Sequence, residues 1–210
     1  MKFFRGLVPA LAALVLAACA TSATPVEEPR RHEPFVAAAN PLAVEGGLSV
    51  LRRGGSAVDA AIAVQAMLSL VEPQSSGIGG GGFMTYYDAA AGKISVYDGR
   101  ETAPAGSAPD MFLDDNGDPL PFATAVVSGR ATGVPGVVRM LGLAHREHGR
   151  LPWNGLFAET ERTARDGFIV SPRLSRFVNG RAPQTRTPDV RPYLTEADGS
   201  LVEGGDRLRN

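Results

Sequence analysis

The sequence predicts an α+β fold, and three observations carry that prediction. A helix-length run between Ser56 and Val71 is apolar on nearly every side, a glycine-rich stretch leads into two short strand patterns, and two further helical patterns follow between Pro135 and Ala164. With 44% hydrophobic residues among 210, the chain can build a packed core, which excludes disorder throughout. Lys+Arg 21 against Asp+Glu 22 gives a formal charge of -1, so nothing in the overall balance draws the chain to nucleic acid or to an acidic surface.

At the amino end, Lys2 and Arg5 precede an apolar run from Gly6 to Ala18 that is too short for an ordinary membrane-spanning helix, so residues 1–18 are expected to be a secretory signal. The tetrad Leu16-Ala17-Ala18-Cys19 resembles a bacterial lipobox and contains the single cysteine of the chain. On that likeness Cys19 becomes a lipidated mature N-terminus, and the protein is an exported, membrane-anchored lipoprotein facing the periplasm or cell exterior. An ordinary signal with an incidental cysteine is the competing reading. Residues 19–34, short of large apolar groups and rich in Thr, Pro and charge, are expected to form a flexible tether.

The folded part is expected over 35–210. Asn40 can cap a helix with Pro41 in its first turn and Val44, Leu48 and Leu51 on its inner face, ended by Gly54-Gly55. Ser56 can cap the next helix, which is interrupted only by Asp59, Gln65 and Ser69. A helix apolar all round belongs in a central layer. A membrane span is the alternative, disfavoured by the short run and by Asp59 and Gln65. Glu72-Pro73 stops this helix, since a residue before proline is pushed from helical angles. Phe83 to Asp88 and Lys93 to Tyr97, joined by a turn near Ala91-Gly92, read as a buried β-hairpin. Val137, Val138, Leu141 and Ala144 form the apolar face of a helix from Pro135, and Trp153, Leu156, Phe157, Thr160 and Ala164 that of another. Asp166-Gly167 closes it, Phe168-Ile169-Val170 leaves it, and Ser171-Pro172 opens a last short helix. Beyond Ser171 large apolar groups are few, so this part is expected to bury little of itself.

Several patterns invite chemistry and lack part of it. The run Gly77-Ile78-Gly79-Gly80-Gly81-Gly82 lacks the Lys-Ser or Lys-Thr of a phosphate cradle and leads into strand residues, so close backbone packing is its expected role. Asp114-Asp115-Asn116-Gly117-Asp118 fails the calcium-loop register, because Gly117 at the sixth position puts Phe112 at the first. A tight turn with Asn116 and Gly117 both left-handed is expected instead. His145 and His148 lack a third metal ligand and read as a solvated helix edge. No G-x-S-x-G elbow occurs. Arg100, in Tyr97-Asp98-Gly99-Arg100-Glu101-Thr102-Ala103-Pro104, projects just past a strand, where a guanidinium can fork onto a carboxylate. From spacing alone, a surface pairing with Asp98 or Glu101 is the simpler account.

Five blocks in order resemble gamma-glutamyltransferases: Asn40-Pro41-Leu42-Ala43, Gly54 to Ala61, Gly77 to Met84, Asp98 to Pro104, and Ala164-Arg165-Asp166-Gly167-Phe168. Further likeness lies at Ser128 to Gly136 and around Gly149 to Pro152. The resemblance implies a partial N-terminal nucleophile hydrolase fold, an incomplete αββα four-layer sandwich. It further implies gamma-glutamyl transfer or hydrolysis of glutathione and related amides by a threonine that self-cleavage exposes. That threonine, in a Thr-Thr-His segment, is expected beyond Asn210, so no catalytic residue falls in these 210. Arg100 is expected to hold the alpha-carboxylate of the glutamyl group. The implied partners are a gamma-glutamyl compound, the small subunit of the same proprotein and, through lipid alone, a membrane. No cofactor, metal or nucleic acid is implied. A lipid-anchored protein that binds an acidic small molecule without catalysis is the alternative.

Overall fold

The computed structural model describes residues 33–180 and 182–210. The signal and Cys19 lie outside the described residues. Asn40 caps helix α1 (Pro41–Arg52), its Oδ1 accepting the Leu42 N–H at 3.0 Å. The inner face differs from expectation: Ala43, Gly46, Gly47 and Val50 are buried, while Val44, Leu48 and Leu51 are only half-buried. The cause is close approach to α2 (Ala57–Val71), because a Cβ on Gly47 would stand 2.8 Å from Val64 Cγ2. Small residues therefore make the contact.

Helix α2 is the central element. Val58, Ile62 and Ala63 in its first half share a core with Tyr97 and α4 (Val137–His148), whereas Met67, Leu70 and Val71 share another with residues after Gly167. Each such large side chain contributes about 1.5–3 kcal/mol on burial. Among the described residues no helix is long and apolar enough to cross a membrane.

The polar residues that interrupt α2 and end it are structural ties. Asp59 is fully buried, and its Oδ2 accepts the N–H of Ser56 at 2.9 Å, of Arg150 at 2.9 Å and of Leu151 at 3.1 Å. Ser56 Oγ accepts the Asp59 N–H in return, a capping box that doubles as a clamp on the chain after α4. Burial alone would raise the Asp59 carboxyl, but the three N–H groups and the His145 imidazole hold it below the usual carboxylate value. Glu72, also buried, accepts from Asn40 Nδ2 at 2.9 Å and Gln74 Nε2 at 2.6 Å, so the start of α1 is fastened to the end of α2. Burial opposes ionisation here too, and the Asn40, Ser171 and Gln74 side chains with Arg173 outweigh it, lowering the Glu72 carboxyl.

Strands β1 (Phe83–Asp88) and β2 (Lys93–Asp98) form the expected antiparallel hairpin, with Met84 opposite Tyr97. Only one face is covered. Met84, Tyr86 and Tyr97 turn inward, while Phe83, Tyr87, Ile94 and Val96 are 62–67% exposed. In α4 the buried residues are Val137, Met140, Leu141 and Ala144; Val138, expected inside, is exposed because Met140 takes the place against β2.

The expected helix over 153–164 is broken into a 3₁₀ turn (Trp153–Leu156) and helix α5 (Ala158–Asp166). Between these and the hairpin lies the short helix α3 (Phe122–Val126). Gly117 alone is left-handed in its turn, with φ of +85°. The Asp114 carboxylate accepts the N–H of Asn116 and of Asp118, both at 2.9 Å, and so makes the turn without a left-handed Asn116.

Residues after Ser171 bury more than expected. Strand β3 (Phe168–Ile169) pairs with β4 (Arg207–Leu208), Ser171 caps α6 (Pro172–Asn179), and Leu174, Val178, Leu194, Val202 and Leu208 are buried together with α2. Few apolar residues suffice because they gather into one cluster with Met67, Leu70 and Val71.

The glycine run does bring backbones together. Gly82 and Gly99 exchange N–H···O bonds of 3.2 and 3.0 Å, and Gly80 O accepts the N–H of Gly136 and Val137, both at 3.2 Å. A Cβ on Gly81 would lie 2.6 Å from Gly99 O, and one on Gly136 2.4 Å from it. Three passes of main chain therefore meet without a side chain between them.

Two outcomes are expected in urea unfolding of the whole protein. Gly136→Ala should cost about 2–4 kcal/mol, since neither backbone can yield, whereas Gly142→Ala within α4, where a Cβ would meet only the Arg146 guanidinium at an ordinary 3.8 Å, should be neutral or stabilising by up to about 1 kcal/mol. Asp59→Asn should cost about 2–3 kcal/mol at pH 7. Because the Asp59 and Glu72 carboxyls are depressed below their ordinary values of 3.8 and 4.5, their contribution is complete above those values and is lost as pH falls through the lower folded-state ones. The acid limb of the stability curve should thus be shallower in Asp59→Asn, and an unchanged limb would contradict this assignment.

Candidate functional site

Arg100 stands two residues past β2, immediately after the glycine crossing. Its N–H donates to Asp98 Oδ1 at 2.9 Å, fixing the exit of the strand, and its guanidinium lies 2.9 Å from Glu101 Oε2. Both partners named by spacing are therefore engaged, one through the main chain. The guanidinium is 67% exposed, so the Glu101 pair leaves most of its donors facing solvent.

That side chain lines a cleft of about 490 Å³, together with Gly79, Glu101, Thr102, Ser107, Met111, Phe112 and Arg130. The glycine run thus forms part of the same wall as the arginine. One buried polar atom on this cleft, Ser107 Oγ, has no hydrogen-bond partner, whereas Glu101 Oε2 is paired with the Arg100 guanidinium. An exposed guanidinium beside an unpartnered hydroxyl oxygen gives the cleft a polar lining.

A second arginine completes the cleft. Arg130 Nη1 donates to the carbonyls of Met111 at 3.1 Å and Leu113 at 3.3 Å. Sequence reasoning missed Glu101, Ser107 and Arg130 as site residues. The signal available was the likeness at Ser128 to Gly136, which includes Arg130 but gives no hint of what it touches.

Beneath β2, Tyr97 donates to Glu147 Oε2 at 2.6 Å, and its oxygen lies 2.7 Å from His148 Nε2, whose ring stacks on Tyr86 with centroids 4.1 Å apart. Burial, together with the Glu147 hydrogen bond and charge, pushes the Tyr97 phenol up to about 12, so it stays a donor at any physiological pH. His145 Nε2 lies 2.9 Å from Leu151 O and 3.6 Å from Asp59 Oδ1. Neither histidine is the solvated edge its position suggested: Tyr86 of β1 and Tyr97 of β2 cover His148, and the Arg150-Leu151 turn covers His145. Among the described residues no three His, Cys, Asp or Glu side chains converge as metal ligands.

The comparisons with known proteins agree with this architecture. The family model described as Gamma-glutamyltranspeptidase matches residues 43–210. Glutathione hydrolase proenzyme of Bacillus subtilis strain 168 is 44% identical over 177 residues, covering 83% of this chain and 30% of that protein. Human glutathione hydrolase 5 proenzyme is 44% identical over 144 residues, covering 69% of this chain and 24% of its own. The crystal structure of Helicobacter pylori gamma-glutamyltranspeptidase superposes with a TM-score of 0.78 at 29% identity, over 87% of this chain and 52% of that one. The chain thus spans about 30% of the first curated relative's length. A match of that extent, on a partial α+β fold of the N-terminal nucleophile hydrolase type in which the glycine crossing and Arg100 meet at one cleft, leads to one assignment: the chain belongs to the gamma-glutamyltranspeptidase family.

Proposed function

We propose that the whole protein transfers or hydrolyses gamma-glutamyl groups of glutathione and related amides, and that Arg100 holds the alpha-carboxylate of the glutamyl group. The observation that carries this reading is the cleft itself: a guanidinium 67% exposed on a rigid glycine-supported exit, with most of its donors free of the Glu101 pair. A bidentate grip on the carboxylate fixes the distance to the scissile gamma-amide, which is what an acyl transfer needs from a residue that does not itself react.

The attacking group in this proposal is a threonine of the small subunit. Its hydroxyl oxygen bonds to the gamma-carbonyl carbon, its own amine takes the hydroxyl proton, and the amide nitrogen leaves with a proton. Water or an amino acid then takes the acyl group from the ester. The relatives' name, proenzyme, supports a chain that is cut to expose such a group. The apolar outer face of the hairpin, with Phe83, Tyr87, Ile94 and Val96 exposed, supports a further layer covering it in the αββα sandwich. The proposal extends to the amino end: residues 1–18 a signal, Cys19 a lipid attachment site, 19–34 a tether, and an exported protein anchored facing the periplasm or cell exterior.

In the full-length protein, Arg100→Ala should raise KM for gamma-glutamyl-p-nitroanilide by ~30–100-fold, the loss expected for two charge-assisted hydrogen bonds, with a smaller effect on kcat. An unchanged KM would remove Arg100 from the site. Residues 1–210 alone should release no chromophore above background. Intact mass of the mature protein should give a diacylated Cys19 as its first residue; an unmodified Cys19 would end the anchor proposal.

A further inference from the structure

No residue from Glu101 to Gly136 is buried. A segment without buried side chains has no hydrophobic anchorage of its own, so its shape depends on hydrogen bonds, and it belongs to the readily opened part of the fold. Yet Ser107, Met111 and Phe112, which line the Arg100 cleft, all come from it.

Most of its hydrogen bonds are local. Ser107 N–H reaches Pro104 O at 2.9 Å, Met111 N–H reaches Ala108 O at 3.1 Å, and Leu113 N–H reaches Asp110 O at 2.9 Å. The main chain adds the Thr102–Val134 bridge at its base and the Leu120 N–H to Phe112 O bond of 2.8 Å. Among the described residues, the side-chain hydrogen bonds joining the cleft wall to the returning chain all come from Arg130, to Met111 O and Leu113 O. Asp110, Asp114 and Asp115 border a neighbouring hollow with Arg130, and their charge favours the guanidinium in that place.

We infer that Arg130 is a positioning residue for gamma-glutamyl recognition, holding the Met111–Leu113 main chain against the turn at 129–131 and so keeping the Ser107–Phe112 wall formed before ligand arrives. This rests on the function proposed above. A wall ordered in advance spares the ligand the cost of ordering it, which affects binding in ground and transition states alike.

The test uses the full-length protein with Arg130→Met, which keeps the bulk and removes every donor, and Arg130→Lys, which keeps a charge and a donor. Hydrogen exchange over 105–114 and steady-state kinetics with gamma-glutamyl-p-nitroanilide are read together. Arg130→Met should exchange ~10-fold faster in that segment and raise KM by ~3–10-fold with kcat within ~2-fold of wild type, and Arg130→Lys should recover part of both. An active wild type with unchanged KM or unchanged exchange in Arg130→Met overturns this inference alone. A kcat that falls as much as kcat/KM does so too. A wild type that neither turns over the substrate nor binds L-glutamate overturns the function together with it.

Discussion

The close meeting of Gly81, Gly99 and Gly136 is the constraint on which the rest of the site depends. At separations where a Cβ would lie 2.4–2.6 Å from a carbonyl oxygen, main-chain hydrogen bonds are the only interaction that fits, and they link the run before β1, the exit of β2 and the start of α4. The hairpin and helix therefore cannot move separately. Arg100 follows Gly99 directly, so the position of its Cα is set by contacts that have no rotamer freedom.

Two buried carboxylates extend this rigidity into the helices. Asp59 binds the chain that leaves α4 to the beginning of α2, and Glu72 binds the beginning of α1 to the end of α2. Each is ionised against the cost of burial because donors surround it, which makes both ties strong only while those donors stay in place. The central helix is thereby fastened at both ends by polar groups, while its apolar surface is shared between two cores.

What was legible in the sequence follows the range of the interaction involved. Caps at Asn40, Ser56 and Ser171, the stop at Glu72-Pro73 and the left-handed Gly167 are set within a few residues, and each lies where the pattern placed it. Which side of α1 faces inward was not legible, because small residues become the contact face only when a second helix comes close. Asp59 was visible merely as an interruption, since its partners Arg150 and Leu151 are 91 and 92 residues away. The same holds for the site. Arg100 is marked by a block of sequence, but Arg130 acts on carbonyls 17 and 19 residues earlier, and a carbonyl leaves no trace in the identity of its residue.

The cleft consequently joins two kinds of structure. Its Arg100 wall belongs to the glycine crossing, while its Ser107–Phe112 wall belongs to a segment with no buried residue. A carboxylate grip tolerates little displacement, because both hydrogen bonds of a forked pair must be met at once. The surface around the remainder of a ligand needs contact more than exact registration, and a hydrogen-bonded flap can supply that contact while still opening for exchange. Under the proposed function this division assigns recognition of the glutamyl head to the rigid wall and entry and release to the softer one. Local opening of the soft wall can then change ligand exchange without moving the Cα of Arg100, since that position is set by the glycine crossing.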